Sequence, residues 1–507
     1  MIDAPTTLSR RRAHHRQALA ERVGWHLPTF LHASLPRVRE GAKTPLSVAQ
    51  KFTLALSLFT FPLGLWQHLL YATLVGVVTA FTAFYLVLLV FKLALYWQSS
   101  TASTILVSAS EIALRKTWPI VTVLCPMYKE AEVLPALVER LGRLHYPKDR
   151  LQVLLLLETD DTETMQALDC LTLPAHIQAL CVPPSLPRSK PKICNLGLKA
   201  ARGEFLVIYD AEDLPDLDQI QKFVLGFSKV GPKVGCLQAM LRFTNHSQNL
   251  LTRFFTAEYA MYFGLILPGL GSLGLPTPLG GTSNCFRTSL LRSYGGWDPY
   301  NVTEDLDLGM LMARAGMGVQ ILDSYTDETA TWLIDRWISQ RSRWIKGHIQ
   351  TYFVHMRNPY KLWRELGTKG FVTFQLIVGG TPLILVSNPI FWGLTLFGNL
   401  IPGGREFISG LFPGPLAYIG VFSLVIGNAA FIWMFMAGCL KGQPEQRHNA
   451  PFMLLVPLYW ALMSIAGWKA FYQFAVKPHH WEKTNHAGAL AAAVSPAFIF
   501  EDEALAA

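Results

Sequence analysis

Long stretches without a charged side chain constrain this chain more than any other feature of its sequence. Four runs contain no Asp, Glu, Lys or Arg: 52–91, 371–401, 408–440 and 450–468. Runs of about 18 or more apolar residues are typical of helices that cross a membrane. The 279 residues from Lys92 to Gly370 carry charge at an ordinary density. The sequence therefore predicts a membrane protein with one large soluble domain in its middle.

The apolar runs also predict how often the chain crosses the membrane. Residues 52–91 would form a helix about 60 Å long, twice the thickness of the hydrocarbon layer. We therefore expect two transmembrane helices over 52–97, with a turn near Pro62 to His68. Residues 371–475 are expected to add three or four helices, because 371–401 forms either one kinked helix or a short hairpin. The total is five or six, and this number decides on which side the tail, residues 476–507, emerges.

The charges outside these runs predict the orientation. An arginine cluster precedes the first apolar run: Arg10, Arg11, Arg12, Arg16 and Arg22. Cytoplasmic segments are rich in Lys and Arg, so residues 1–51 are predicted to be a cytoplasmic basic segment that flanks the membrane rather than a nucleic-acid-binding arm. A hairpin of two helices returns the chain to the same side. We therefore expect the soluble domain to be cytoplasmic, on a multi-pass protein of the inner (plasma) membrane.

Composition excludes other classes of protein. Charged residues make up 16% of the chain, against about 25% in soluble domains, which argues against a wholly soluble enzyme. The seven cysteines form no Cys-x-x-Cys pair. They predict neither a disulfide framework nor a cysteine metal site, and they fit a reducing compartment.

The soluble domain, residues 112–330, alternates predicted strands with helical patterns. Three apolar runs predict buried strands: 119–125, 151–157 and 204–209. Their alternation with helices favours an α/β fold with a mainly parallel sheet. Ligands of such sheets bind beyond the carboxyl ends of the strands. The second and third runs both end in acidic clusters, so we expect the chemistry at this edge.

The acidic cluster after the third strand predicts a metal site. Asp210, Glu212 and Asp213 are hard oxygen ligands suited to Mg²⁺ or Mn²⁺, which also bind substrate phosphates. The alternative is an N-cap for the next helix; the position at a strand end, beside a second acidic cluster, favours the metal. Upstream, Lys190 and Lys192 either meet phosphate charge or lie in a solvated loop.

A second group of candidates lies nearer the C-terminus. Thr303, Glu304 and Asp305 enter a predicted helix, and a carboxylate at a helix start stays ionised because of the helix dipole. Asp305 either caps this helix or acts as a general base. Residues 331–368 combine Trp and Ile with Arg and Lys, which predicts amphipathic helices at the membrane surface.

Three motifs in this order resemble the processive family 2 glycosyltransferases, the group of cellulose, hyaluronan and chitin synthases. They are Asp210-Ala211-Glu212-Asp213 after a strand, Thr303-Glu304-Asp305, and Gln340-x-x-Arg343-Trp344. The similarity covers about residues 117–350, and the flanking apolar runs agree with it. The resemblance implies a GT-A fold, a nucleotide-diphosphate sugar donor, a divalent cation (Mg²⁺ or Mn²⁺) and inversion at the anomeric carbon.

The resemblance also implies residue roles. The catalytic base is Asp305. Donor-binding roles fall on Tyr128, Glu130, Glu158, Lys192, Asp210 and Arg343. Acceptor-binding roles fall on Gln340, Trp344, Thr303 and Glu304, and the metal ligands are Asp210, Glu212 and Asp213. The stretch from Glu158 to Asp161, Glu-Thr-Asp-Asp, replaces the family's usual Asp-Asp-Gly-Ser, so which of its carboxylates meets the base stays open.

The sequence thus favours a membrane-embedded hexosyltransferase that polymerises a sugar, with UDP-glucose as the best match, into a β-linked polysaccharide and secretes it through its own membrane region. Its expected partners are the donor, the growing glycan and the bilayer. One alternative transfers single sugars to a lipid or short acceptor. Another is a transporter with an inert domain, which the lack of charge in the apolar runs, Lys469 aside, disfavours.

The tail adds one hypothesis. Trp481-Glu482-Lys483-Thr484 is similar to the mobile segment that closes over the donor in the cellulose synthase group. This role requires a cytoplasmic tail, and therefore six spans.

Overall fold

The computed structural model describes residues 41–64, 70–101, 104–184 and 186–478. The predictions for the arginine cluster, for most of the first turn and for Trp481 to Thr484 fall outside these residues. Two helices open the described chain, α1 (Val48–Gly64) and α2 (Leu70–Thr101).

An eight-stranded sheet forms the centre of the soluble domain. Its strands are β1 (Val121–Met127), β2 (Leu151–Glu158), β3 (Ile177–Val182), β4 (Phe205–Ile208), β5 (Leu214–Pro215), β6 (Val234–Phe243), β7 (Asn284–Arg287) and β8 (Gly318–Glu328). The three predicted strands correspond to β1, β2 and β4. All eight residues of β2 are buried, as its leucine run predicts for a strand covered on both faces.

The sheet is mixed rather than mainly parallel. Its order is β3-β2-β1-β4-β7-β6-β8-β5. The half β3-β2-β1-β4 is parallel, as predicted, and β6 pairs with β8 in parallel. The short strand β7 runs antiparallel to both β4 and β6, and β5 runs antiparallel to β8. The α/β class is confirmed, and the mixed half is a correction: β5 and β7 are strands of two and four residues whose direction is set by pairing with residues distant in the chain, which the alternation of strands and helices does not reveal.

Nine helices of the domain region are described. They are α3 (Ala109–Leu114), α4 (Leu134–Arg143), α5 (Thr162–Asp169), α6 (Lys190–Ala200), α7 (Gln219–Lys229), α8 (Leu250–Met261), α9 (Leu267–Ser272), α10 (Thr288–Ser293) and α11 (Glu304–Arg314). A π-helical turn, Tyr262–Ile266, joins α8 to α9. Helix α6 lies close against the sheet at Gly197, where an added Cβ would stand 2.9 Å from side-chain carbons of Leu124 and Leu156. This close approach fixes the start of α6 above the carboxyl ends of β1 and β2.

The C-terminal part is helical. Its α-helices are α12 (Ile334–His355), α13 (Pro359–Phe374), α14 (Gly380–Leu400), α15 (Gly404–Leu411), α16 (Pro415–Phe422), α17 (Asn428–Lys441) and α18 (Val456–Val476). A π-helical turn, Gln375–Gly379, joins α13 to α14. Residues 371–400 therefore form one continuous helical run, which is the first of the two predicted possibilities.

Four helical segments of the described residues are long and apolar enough to cross a membrane, by length and composition. They are Tyr71–Ser100, Pro359–Leu400, Pro415–Lys441 and Pro444–Val476. Helix α1 has 17 residues and is not among them. The count of five or six spans stays a prediction.

One apolar core joins the domain to the apolar helices. It contains Leu95 of α2, Phe254 of α8, Trp337 of α12, Met434 of α17 and Tyr459 of α18, all nearly inaccessible to solvent. Helix α12 lies at the centre of this contact. Its polar side chains Arg341 and Lys346 are buried as well, so these two are enclosed by protein where the sequence predicts charges at a membrane surface.

Candidate active site

The turn after β4 is built around Asp213. Its carboxylate accepts hydrogen bonds from the backbone N–H of Asp210 (2.7 Å) and from the Thr282 hydroxyl. The side chain is 1% exposed, and Oδ1 has no hydrogen-bond partner among the described residues. Burial, with the Asp210 and Glu212 charges, raises the pKa of Asp213 well above its usual value. Asp213 thus holds the turn from within and leaves Asp210 and Glu212 nearer the cleft.

A lysine lies directly on Asp210. The Lys190 ammonium forms an ion pair with Asp210 Oδ1 and donates a hydrogen bond of 3.0 Å to the carbonyl oxygen of Gly281. Lys190 is the first residue of α6, and Gly281 precedes β7 with a φ of +81°, a conformation that glycine tolerates. The sequence placed Lys190 only between a phosphate contact and a solvated loop, so its contact with Asp210 is new.

Lys192, predicted to bind the donor, lies deeper. Its ammonium donates a hydrogen bond of 2.8 Å to Glu158 Oε1, and the two side chains are 1% and 7% exposed. Glu158 Oε2 is buried without a hydrogen-bond partner among the described residues. The pair forms the floor of the cleft, between the end of β2 and the start of α6.

The three carboxylates at the end of β2 have separate environments. Glu158 is held by Lys192, and Asp161 caps α5 and accepts a hydrogen bond from the Lys129 backbone. Asp160 forms an ion pair of 2.6 Å with Arg188, whose guanidinium also donates a hydrogen bond of 3.1 Å to the Tyr128 hydroxyl. Asp160 is therefore the carboxylate of this stretch that lies beside Tyr128.

Glu130, the other donor-binding candidate of this loop, is fixed through its backbone. Its N–H donates a hydrogen bond of 3.0 Å to the Thr164 hydroxyl of α5. The loop after β1 is thus tied to the helix that follows β2.

The predicted base stands across the cleft, at the start of α11. An added Cβ on Gly281 would lie 3.2 Å from Asp305 Oδ2, so the carboxylate lies against the same turn that Lys190 contacts. Burial raises the pKa of Asp305, and Lys190 and Arg343 oppose this rise. Burial also raises the pKa of Glu304 to about 7.

Helix α12 supplies the cations and rings on the far side. Burial lowers the pKa of Arg343, while the carboxylates of Glu304, Asp305 and Asp210 raise it, so this guanidinium belongs to the same cluster. The Trp344 ring lies 4.5 Å from the Arg341 guanidinium and 6.1 Å from the Phe255 ring.

The other two candidates for the acceptor lie in tight surroundings. Thr303 is in close contact with Gly347 of α12, where an added Cβ would stand 2.1 Å from the threonine hydroxyl. Gln340 Oε1 is buried and lacks a hydrogen-bond partner among the described residues. Thr303 therefore docks α11 on α12, whereas Gln340 retains an unused acceptor.

Several residues of the site carry no signal in the sequence. Glu328 ends β8, and burial followed by the Asp213 and Glu212 charges raises its pKa well above the usual value. The Glu258 carboxylate of α8 accepts hydrogen bonds from the two terminal guanidinium nitrogens of Arg341 (3.1 Å from Nη1) and from the Tyr459 hydroxyl. Glu258 and Arg341 lie 83 positions apart, so spacing alone could not pair them.

The cluster fits a divalent cation on chemical grounds. Carboxylates outnumber the cations beside them, and their mutual repulsion contributes to the raised pKa values of Asp213, Glu304 and Glu328. Asp210 and Glu212 would hold the ion, together with phosphate oxygens of a substrate. Among the described residues no group of three His, Cys, Asp or Glu side chains stands close enough together to hold a metal ion.

A cavity of about 580 Å³ lies between the apolar helices. Near the domain it is lined by Lys92, Glu258 and Tyr459, and α14 lines it from Thr381 to Asn399. The 18 helical steps from Thr381 to Asn399 span about 27 Å. The cavity lining on α14 therefore extends over a length close to the thickness of a hydrocarbon layer, and Glu258, the partner of Arg341, also lines the cavity.

Comparison with known proteins decides the class of this domain. Residues 119–347 match the model described as "Glycosyltransferase like family 2". The chain carries a glycosyltransferase family 2-like domain. The match encloses the sheet, the acidic turn, α11 and the first part of α12 with Arg343 and Trp344. The prediction that the chain is an enzyme, a glycosyltransferase with family 2 hexosyltransferases among its relatives, is confirmed.

Individual relatives are distant. The chain is 25% identical to "Probable glycosyltransferase YdaM" of Bacillus subtilis over 54% of its own length and 66% of that protein, just under two thirds. It is 25% identical to the "Beta-monoglucosyldiacylglycerol synthase" of Nostoc sp. over 73% of its length and 77% of that protein. A solved structure of mannosyltransferase PcManGT from Pyrobaculum calidifontis, in complex with GDP-Man and Mn²⁺, is similar over 80% of this chain and 99% of that one, with 17% identity and a TM-score of 0.47.

Proposed function

We propose that this family 2 domain has a GT-A-type fold and transfers a hexose, with inversion, from a nucleotide-diphosphate sugar to a glycan that it extends into a β-linked polysaccharide. UDP-glucose is the proposed donor and Mg²⁺ or Mn²⁺ the proposed cation. The observation that carries the proposal is that Asp305, Arg343 and the acidic turn share one cleft beside a cavity between apolar helices.

Asp305 is the proposed general base. The acceptor hydroxyl must lose a proton as it attacks the anomeric carbon, and a carboxylate accepts it best when its pKa approaches the working pH. Burial raises the pKa of Asp305 in this direction, while Lys190 and Arg343 keep it accessible to ionisation. The surroundings thus suit an ionised but reactive carboxylate.

The leaving nucleoside diphosphate gains charge on the opposite side of the sugar. The Arg343 guanidinium is the proposed group that stabilises this charge. A divalent ion held by Asp210 and Glu212 would neutralise the phosphate oxygens when bound. Tyr128 and Asp160, with Glu130, are proposed to bind the nucleoside at the open end, while Glu158 and Lys192 form the floor beneath it.

The acceptor is proposed to end near Trp344 and Gln340 and to continue into the cavity. An indole ring stacks on the apolar face of a sugar, and the unused Gln340 oxygen can accept a hydrogen bond from a sugar hydroxyl. Polar groups face the cavity at several depths along α14: Thr381, Ser387, Asn388, Thr395 and Asn399. The Ser and Thr hydroxyls donate to carbonyls of their own helix, so their oxygens stay available as acceptors. This lining, with Trp392 and Trp460, suits a glycan.

A second candidate function is the transfer of one sugar to a lipid. Most other residues that line the cavity are apolar, including Phe81, Leu88 and Leu394, and acyl chains fit such surfaces. A glycolipid synthase is also among the relatives. The remaining alternative, a transporter, required an inert domain, and the glycosyltransferase match contradicts that requirement.

We also propose that the protein lies in the inner (plasma) membrane with this domain in the cytoplasm, where nucleotide sugars are available. A donor screen tests the proposed chemistry. Purified full-length protein in detergent is incubated with each UDP- or GDP-hexose and Mg²⁺ or Mn²⁺, and release of nucleoside diphosphate is measured. Release from UDP-glucose that requires the metal supports the proposal, and preference for another donor or activity in excess chelator contradicts the corresponding part of it.

A further inference from the structure

The Lys190 ammonium is the cation nearest to the proposed metal ligand. It pairs with Asp210 Oδ1 and donates to the Gly281 carbonyl oxygen at 3.0 Å. The Lys190 and Asp210 side chains are 20% and 32% exposed, so the pair faces the cleft. The charge of the neighbouring Glu304 raises the pKa of this ammonium, and the ammonium in turn lowers the pKa of Asp305. Lys190 therefore interacts with both acidic groups at the cleft, the turn that contains Asp210 and the start of α11.

A second lysine of the same helix provides a contrast. Lys192 and Glu158 are almost fully enclosed, and removing either charge would strand the other in the interior. Lys190 instead pairs with the Asp210 carboxylate, which is accessible from the cleft and which is a proposed ligand of the divalent ion.

We propose that Lys190 is a resident counter-ion of the donor-free site, which yields Asp210 to the divalent cation and then binds the donor's diphosphate. This inference rests on the proposed metal and donor. In the donor-free protein the ammonium partly balances the acidic cluster and competes with a free metal ion for Asp210. When metal and diphosphate arrive together, the ion takes the carboxylate, and the phosphate oxygens offer the ammonium a new anionic partner.

The inference has two consequences of opposite sign. Removal of the Lys190 charge should make the donor-free site bind a divalent ion more tightly, because a competitor for Asp210 is gone. It should also weaken the binding of a nucleoside diphosphate in the presence of the metal, because one charge-assisted hydrogen bond is lost. A lysine that only stabilises the fold would change neither affinity in this pattern.

The test measures binding and needs no sugar transfer. Full-length Lys190→Met, wild type and the control Lys199→Met, which alters the last turn of the same helix, are titrated with Mn²⁺ without donor, and free Mn²⁺ is followed by electron paramagnetic resonance. UDP binding is then measured by calorimetry at saturating Mn²⁺. We expect Mn²⁺ to bind Lys190→Met about 10-fold more tightly and UDP about 10-fold more weakly, as for the loss of one ionic hydrogen bond. Lys199→Met should match wild type.

Unchanged or weaker Mn²⁺ binding by Lys190→Met would overturn the inference. If that variant does not fold, Lys190→Gln and Lys190→Arg replace it: Gln should show the same opposite shifts, and Arg, which keeps the charge, should remain near wild type for Mn²⁺. Asp210→Asn separates this inference from the proposed function. If Mn²⁺ binding survives in Asp210→Asn, the metal site itself is wrong; if it is lost there yet unaltered in Lys190→Met, only the role of Lys190 is wrong.

Discussion

The side-chain amide of Gln350 donates a hydrogen bond of 2.7 Å to the carbonyl oxygen of Pro478. The same side chain accepts a hydrogen bond of 3.1 Å from the backbone N–H of Val302, one residue before the Thr303 motif. Gln350 therefore connects the loop that leads to Asp305 with the first residues beyond α18. The chain leaves its last apolar helix on the side of the glycosyltransferase domain.

This contact leads to a prediction for the tail. If the domain is cytoplasmic, Lys483 is cytoplasmic too. Lys483→Cys, introduced with Cys170, the exposed cysteine of the described residues, changed to Ser, should resist an impermeant thiol reagent in intact cells and react after lysis. Labelling in intact cells would place the tail outside and would contradict the six-span topology.

The second prediction concerns Asp305. Asp305→Asn keeps the size of the side chain and removes its basicity, so turnover should fall on the order of 10²–10⁴-fold, while UDP affinity stays within about 3-fold of wild type. Steady-state release of nucleoside diphosphate and calorimetry measure the two effects. A collapse of UDP affinity with little loss of turnover would make Asp305 a structural cap of α11.

The third prediction concerns pH. Burial raises the pKa of Glu304 from 4.5 to about 7 in the folded protein. The folded state therefore keeps this proton between pH 4.5 and 7 while the unfolded state releases it, so stability falls as pH rises through that window. In metal-free protein, Glu304→Gln should lessen the decline of the melting temperature over this range and melt higher at pH 8. An unaltered pH slope in the variant would show that Glu304 is not the group that causes this pH dependence.

The fourth prediction concerns the floor of the cleft. Glu158→Gln removes the charge that faces Lys192, whose side chain is 1% exposed, and breaking a buried pair costs about 3–5 kcal/mol. The matched control is Asp160→Asn, because its partner Arg188 is 50% exposed and such surface pairs contribute about 0–1 kcal/mol. Thermal unfolding in detergent should separate the two variants clearly. Equal melting temperatures would mean that the Lys192 pair does not support the fold.

The sequence predicted the parts of the site that local pattern controls. The apolar runs of β2 and β4 end where their acidic residues begin, and the parallel pairing of both strands with β1 brings Glu158 and Asp210 to one edge. Helix α11 starts at Glu304, as its pattern indicates. These features depend on residues that are close together in the sequence, so hydrophobic periodicity and the residues that mark strand and helix ends are enough to predict them.

What the sequence could not predict depends on contacts between distant residues. The four residues of β7 show no clear alternation, and only their pairing with β4 and β6 makes them a strand. For Lys190 the sequence favoured a solvated loop over a phosphate contact, and only the fold placed this side chain on Asp210. Arg341, expected at a membrane surface, is enclosed because Glu258 and Tyr459 reach it from other helices.

The central claim is that this site extends a glycan on an acceptor it retains, and a pulse–chase measurement of product length tests it most directly. Purified protein receives radiolabelled UDP-glucose and Mn²⁺ for a short pulse, then a large excess of unlabelled donor, and the labelled product is sized over time. The account predicts that labelled chains keep growing during the chase, because each acceptor end stays between Asp305 and the cavity. Labelled product that stays at one added sugar, carried by a lipid or short acceptor, would contradict it.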